Sequence, residues 1–276
     1  MGKWQNEYDS ESEEIEVEQE DELLMHNYYT LPKRCKKYWD KRYSLFSKFD
    51  EGIYMSSELW FSVTPEDIAV FTARLVKSVL PHCRNVLDIG SGAGGNTIQF
   101  ARYFESVGSI DVNPINMQCT VHNAAIYGVQ DKLWSVVGDW NSLSALDEKG
   151  RPNSTWVPAD LRRKKHVNQT FDFVFCSPPW GGPSYLKDKP FDLQQMQPFP
   201  LHSLISSISQ YCSHFGLFLP RSSDLDQLEE TTRELLRSDA HCRVVFLNLE
   251  GYCKGLLALF GPKFIENDID YVALLS

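Results

Sequence analysis

The stretch Val86-Leu87-Asp88-Ile89-Gly90-Ser91-Gly92-Ala93-Gly94-Gly95-Asn96-Thr97 constrains this chain more than any other: an apolar strand runs into a glycine turn and then into a helix. Glycines let the backbone turn sharply and approach a ligand closely, and the helix that follows presents its free N–H groups there. Beyond it, apolar runs predict strands at 107–111, 132–137, 171–176, 215–219, 242–249 and near 255–260. Helical spacing predicts helices at 95–104, 114–127, near 201–213 and 224–237. Strands alternating with helices imply a parallel sheet wound on both faces, with ligands bound at the carboxyl ends of the strands.

Three sections are expected: an acidic tail over 1–30, a helical extension over 31–80, and an α/β core over 81–276. Residues 1–22 hold ten acids against Lys3, a charge of −9, so nearly all of the net −10 sits there. Such a segment lacks the apolar surface to offset the entropy of ordering and is expected to be disordered. From 31 to 60 the chain is basic and aromatic, and Tyr38, Arg42, Leu45, Phe46 and Phe49 recur at helical spacing. Thr64-Pro65-Glu66-Asp67 reads as a helix start with Thr64 as cap and Pro65 in the first turn, running to about Val79. Residues 146–170, with the basic run Arg162-Arg163-Lys164-Lys165-His166, read as an inserted surface loop. No apolar run of about 18 residues appears, so no membrane partner and a soluble, intracellular protein are expected. The seven cysteines are scattered without a C-x-x-C pair, which predicts reduced thiols and no metal.

Asp88, Gly90, Gly92 and Gly94 satisfy D-x-G-x-G-x-G, while Gly90, Gly92 and Gly95 also satisfy the dinucleotide pattern G-x-G-x-x-G. Asp111, at the end of the next strand, is placed to accept ribose hydroxyls, which either class of cofactor carries. The turn alone leaves S-adenosylmethionine and a nicotinamide nucleotide both open. The fourth strand decides between them, because it empties into Ser177-Pro178-Pro179-Trp180-Gly181-Gly182-Pro183. Prolines make this loop stiff and poor in N–H groups, and its Trp offers a face for a flat, cationic base. This resembles the (Asp/Asn/Ser)-Pro-Pro-aromatic loop of methyltransferases that alkylate exocyclic amines.

The resemblance narrows with Lys37-Tyr38-Trp39, Leu45-Phe46-Ser47, Trp60 to Glu66, Gly94 to Phe100, Ser177 to Pro183 with Tyr185, and Leu219-Pro220-Arg221. Together, over roughly 33–260, these blocks resemble the trimethylguanosine synthase (cap hypermethylase) family. The resemblance implies a Rossmann-like class I S-adenosylmethionine-dependent methyltransferase with a doubly wound, mainly parallel sheet and a small N-terminal helical extension. It implies conversion of 7-methylguanosine caps of small nuclear and nucleolar RNAs to the 2,2,7-trimethyl form. Trp180 would stack on the methylated base, with Ser177 and Pro178 beside the amine. Lys37, Tyr185 and Arg221 would hold the phosphate chain. Phe46, Thr64, Asp88, Gly90, Gly92, Asn96, Asp111, Asn123 and Asp139 would form the cofactor site. Glu58 is added as an acceptor for the guanine N1 and N2 hydrogens. Capped RNA, snRNP and snoRNP proteins as partners, a monomer, and a nuclear and nucleolar location with a cytoplasmic share follow as expectations. The chain departs from the family in having Ile89-Gly90-Ser91 where Phe-Cys-Gly is usual.

Three rivals stand beside this reading. An adenine or glutamine N-methyltransferase would use the same Pro-Pro loop, and a catalytically silent cap-binding protein would keep Trp180. A nicotinamide dehydrogenase would share the glycine turn but has no hydride-site acid or base here.

Overall fold

The computed structural model describes residues 23–163, 170–181 and 190–275. The acidic run 1–22, most of the basic run at 162–166, and Tyr185 lie outside the described residues. Seven strands form one sheet: β1 (Asn85–Ile89), β2 (Ser106–Asp111), β3 (Leu133–Val137), β4 (Phe173–Cys176), β5 (Phe215–Leu219), β6 (Cys242–Leu249) and β7 (Tyr252–Phe260). Their order is β3-β2-β1-β4-β5-β7-β6. The first five pair in parallel, and β7 enters antiparallel between β5 and β6. The sheet is therefore mixed at one edge and parallel where the site lies.

Helices occupy both faces: α1 (Arg42–Leu45), α2 (Leu59–Ser62), α3 (Glu66–Val79), α4 (Gly95–Tyr103), α5 (Pro114–Ile126), α6 (Trp140–Leu143), α7 (Leu201–Ser209), α8 (Leu225–Leu235) and α9 (Pro262–Glu266). The period-2 geometry of the strands sorts their side chains into two cores. Val86, Phe173, Phe175, Leu257 and Leu259 join Val76 of α3 and Phe100 of α4 on one face. Leu87, Val174, Cys176, Leu256 and Ala258 join Leu204 and Ile208 of α7 on the other. A strand buried on both sides reads as an unbroken apolar run, which is why β4 and β5 were plain in the sequence.

Three local expectations change. Pro65, not Thr64, occupies the N-cap of α3 and makes no side-chain cap bond. The Thr64 hydroxyl instead accepts the amide of Asn96 at 3.0 Å. The expected helix over 38–49 is a 3₁₀ turn at Lys36–Lys41, the short α1, and a second 3₁₀ turn at Phe49–Glu51. Here aromatic packing outweighs helix periodicity: Trp39 stacks on Trp60 at 5.9 Å and both meet Phe49 at 5.6 Å. The insertion is also more than a surface loop. Val157 and Leu161 are buried, and Trp156 stacks on Phe171 at 6.0 Å, closing the second core.

Candidate active site

The strand order reverses between β1 and β4, so the chain leaves these two strands on either side of a crevice. Ile89 pairs with Cys176, and the residues that follow, Gly90 and Ser177, emerge side by side. A Cβ placed on Gly90 would stand 3.6 Å from the Ser177 carbonyl oxygen. The glycine turn and the Pro-Pro-Trp loop are thus one site.

Gly90, Gly92 and Gly94 all take positive φ (76°, 57° and 84°), which a side chain disfavours. At Gly92 an added Cβ would also come within 3.1 Å of Leu59 of α2, so the N-terminal extension closes directly over the turn. Asp111 fixes the turn from the adjacent strand. Its Oδ2 accepts the Gly92 N–H at 2.9 Å, and its Oδ1 accepts the Asn113 N–H at 2.9 Å and the Asn116 amide at 3.2 Å. Thr120 donates to the Gly92 carbonyl at 2.9 Å.

Asp88 is fully buried. Its Oδ2 accepts the Thr97 hydroxyl at 2.5 Å, while Oδ1 has no partner. Burial pushes its carboxyl up to about 7, with the hydrogen bond from Thr97 opposing and the charge of Asp111 adding to the rise. Asn96 likewise keeps a buried Oδ1 without a partner. Two orphaned acceptors beside three positive-φ glycines fit a ligand that carries a cationic amine and needs close backbone approach. S-adenosylmethionine meets both requirements, and its ammonium group would satisfy an ionised Asp88.

Other expected contacts are already engaged. Asn123 uses its whole amide: Oδ1 accepts the Tyr54 N–H at 2.8 Å, and Nδ2 donates to the carbonyls of Tyr54 at 2.8 Å and Ala93 at 2.9 Å. It staples the extension to the turn and has no N–H left for a ligand. Asp139 caps α6 through Asn141 and Ser142. Phe46 is buried in the core, its ring 6.3 Å from that of Tyr127. Thr97, Leu59 and Thr120 were not singled out in the sequence. Only Thr97 left a trace there, as a hydroxyl residue just after the glycines.

On the loop, Pro178 is buried, Ser177 and Trp180 are half-buried, and Pro179 is exposed. The Trp180 indole N–H donates to the Phe218 carbonyl at 3.1 Å, and the two rings are tilted at 5.2 Å. That bond holds the indole plane at the end of β5. Arg221, just beyond β5, is exposed and donates to the Cys253 carbonyl at 3.2 Å. Lys37 and Glu58 are exposed on the extension. Burial keeps the Cys176 thiol well above its usual range, so the strand end offers no thiolate nucleophile.

This sheet, with its strand-end glycine turn beside the Pro-Pro-Trp loop, is that of a Rossmann-like methyltransferase. A putative methyltransferase from Porphyromonas gingivalis shares the fold, with a TM-score of 0.54 at 13% identity, over 86% of this chain and 50% of that one. Residues 83–263 match the RNA cap guanine-N2 methyltransferase family, and the chain belongs to it. It is 40% identical over 232 residues to trimethylguanosine synthase of Saccharomyces cerevisiae, covering 83% of this chain and 68% of that protein. To trimethylguanosine synthase of Schizosaccharomyces pombe it is 35% identical over 237 residues, covering 84% and 88%.

Proposed function

We propose that this methyltransferase uses S-adenosylmethionine to add two methyl groups to the exocyclic N2 of 7-methylguanosine caps, giving 2,2,7-trimethylguanosine on small nuclear and nucleolar RNAs. The observation that carries this reading is the pairing of Ile89 with Cys176, which sets the Gly90 turn beside Ser177 and its Pro-Pro-Trp loop. Trp180, Lys37 and Arg221 are the groups assigned to the cap, and Asp88, Asn96 and the glycines to the methyl donor.

When bound, S-adenosylmethionine supplies a methyl group on a sulfonium centre. The residues of this chain select and orient the acceptor. Guanine methylated at N7 is cationic, and a cation over an indole face gains about 0.5–2 kcal/mol beyond plain stacking. An amine conjugated to a purine is a poor nucleophile because its lone pair is delocalised. Pro178 and Pro179 contribute no N–H, so the loop presents mainly acceptors: the Ser177 hydroxyl and the carbonyls of Ser177 and Pro178. Acceptors of this kind take the amine hydrogens and favour the pyramidal nitrogen on which the new bond forms. A singly methylated amine keeps one hydrogen, so the same acceptors serve a second transfer. Rate comes from placement. As the N–C bond forms, the S–C bond breaks to leave a neutral thioether. The alkylated nitrogen, now cationic and strongly acidic, gives its proton to water, so no His or Cys base is required.

A nuclear and nucleolar site of action, with a cytoplasmic share, and contacts with snRNP and snoRNP proteins follow from that choice of RNA; the enzyme is taken to act as a monomer. Mass spectrometry of a 7-methyl-capped oligonucleotide after incubation with S-adenosylmethionine tests the reaction. Two added methyls located on the cap guanine N2 support it, and transfer confined to adenine or to protein glutamine refutes it.

A further inference from the structure

The segment from Tyr28 to Tyr43 carries chemistry that neither the glycine turn nor the Pro-Pro-Trp loop uses. Residues 33–42 hold six Lys or Arg and one Asp. Lys37 is already assigned to the cap phosphates; of the others, Lys33, Arg34 and Lys41 are exposed, and among the described residues none of these three pairs with a carboxylate. Like charges this dense along the chain repel one another, and a polyanion relieves that repulsion. Aromatic rings alternate with the cations. Tyr28, Tyr29 and Tyr43 are 46%, 88% and 45% exposed. The Lys36 ammonium lies 4.8 Å from the Tyr28 ring, and the Arg42 guanidinium 4.6 Å from Trp39 and 4.2 Å from Tyr43.

This strip is joined to the active site by a short path. Arg34 donates to the Ser57 hydroxyl at 3.2 Å and the Cys35 thiol to the Ser57 carbonyl at 3.1 Å. Two residues further on, Leu59 covers Gly92. Lys37, assigned above to the cap's phosphate chain, lies within the strip, so RNA leaving that phosphate chain meets the remaining cations next.

We propose that Tyr28–Tyr43 is a second RNA-contact surface, which takes the phosphodiester backbone and bases of the first nucleotides downstream of the cap. The proposal rests on the reading of the substrate as a capped RNA. Cations meet phosphates, and exposed tyrosines give stacking platforms for unpaired bases. The rings favour nucleic acid over an acidic protein segment, which would use the charges alone.

The test compares KM and kcat of the full-length chain on a 7-methylguanosine-capped dinucleotide and on a capped single strand of about 20 nucleotides, at about 50 and 200 mM salt. The longer RNA is expected to show a KM at least about tenfold lower at the lower salt, because several neutralised phosphates add to the hold on the cap. The pair Lys33→Glu and Lys41→Glu should remove most of that advantage without changing kcat on the long RNA. Its salt slope should fall by about 1.4, roughly 0.7 for each phosphate of a single strand that is no longer neutralised. Lys33→Arg with Lys41→Arg should retain the advantage, which separates removal of charge from a damaged fold. Equal KM for the two RNAs in the unaltered protein, or an equal rise in KM on both in the variant, overturns the proposal. Stronger competition by a peptide of residues 1–22 than by an uncapped RNA of the same length would assign the strip to acidic protein and also overturn it. Transfer to neither RNA refutes the cap reading itself and takes this proposal with it.

Discussion

Asp88→Asn should make the ligand-free protein less sensitive to alkali while weakening its hold on the cofactor. Asp88 is wholly buried, with one oxygen on Thr97 and the other unpartnered, and burial raises its carboxyl from 3.8 to about 7. A carboxyl raised in the folded state contributes stability that is complete below the unfolded value and is lost as pH climbs through the folded one. At 1.36 kcal/mol for each decade of proton affinity, the full loss is about 4 kcal/mol, and about 2–3 kcal/mol of it falls between pH 5 and pH 8. Asparagine keeps an acceptor for the Thr97 hydroxyl but has no charge to bury. Urea unfolding of both proteins at pH 5, 6, 7 and 8 reads the effect as a difference, which cancels the titration of the other groups. The variant should gain on the unaltered protein by about 2–3 kcal/mol across that range. Calorimetric titration with S-adenosylhomocysteine, which keeps the ammonium group, should show affinity rising with pH through about 7 for Asp88 and flat for the variant. Parallel unfolding profiles, within about 0.5 kcal/mol at every pH, would refute the assignment of a buried carboxyl with raised proton affinity.

Trp180→Ala removes a stacking face worth about 1–3 kcal/mol for each base and a cation–π share of about 0.5–2 kcal/mol. Affinity for 7-methylguanosine triphosphate, read by calorimetry, should fall at least about tenfold, and preference over guanosine triphosphate should shrink; an unchanged preference contradicts the role. Asn123→Ala breaks three hydrogen bonds to the backbone of Tyr54 and Ala93, the one to Ala93 buried and the two to Tyr54 partly so. It should cost about 2–4 kcal/mol in urea unfolding, and a cofactor-binding defect without loss of stability would instead make Asn123 a direct contact.

The sheet was legible in the sequence because β1, β4 and β5 are buried on both faces and bounded by glycine or proline. The antiparallel entry of β7 was not, since an apolar strand reads alike in either direction. The N-terminal extension misled for a related reason. Residues 38–49 carry helical spacing, yet the stacking of Trp39 on Trp60, distant in sequence, breaks the segment into short turns. At the site, residue types announced themselves while their partners did not. Asp88 and the glycines stood out, but the Asn123 amide is committed to backbone from two separate segments, a pairing visible only after folding. Thr64 has the chemistry of a helix cap, and its hydroxyl was taken by Asn96 from the opposite side of the turn.

The central claim is that a cationic guanine lies on Trp180 with its amino nitrogen at the Ser177–Pro178 acceptors. A crystal structure of the protein with 7-methylguanosine triphosphate and S-adenosylhomocysteine measures this directly. In that complex the purine should lie parallel to the indole, with N2 about 3 Å from a Ser177 or Pro178 oxygen. A nucleotide bound elsewhere, with the indole still packed on Phe218 and touching no base, would contradict it.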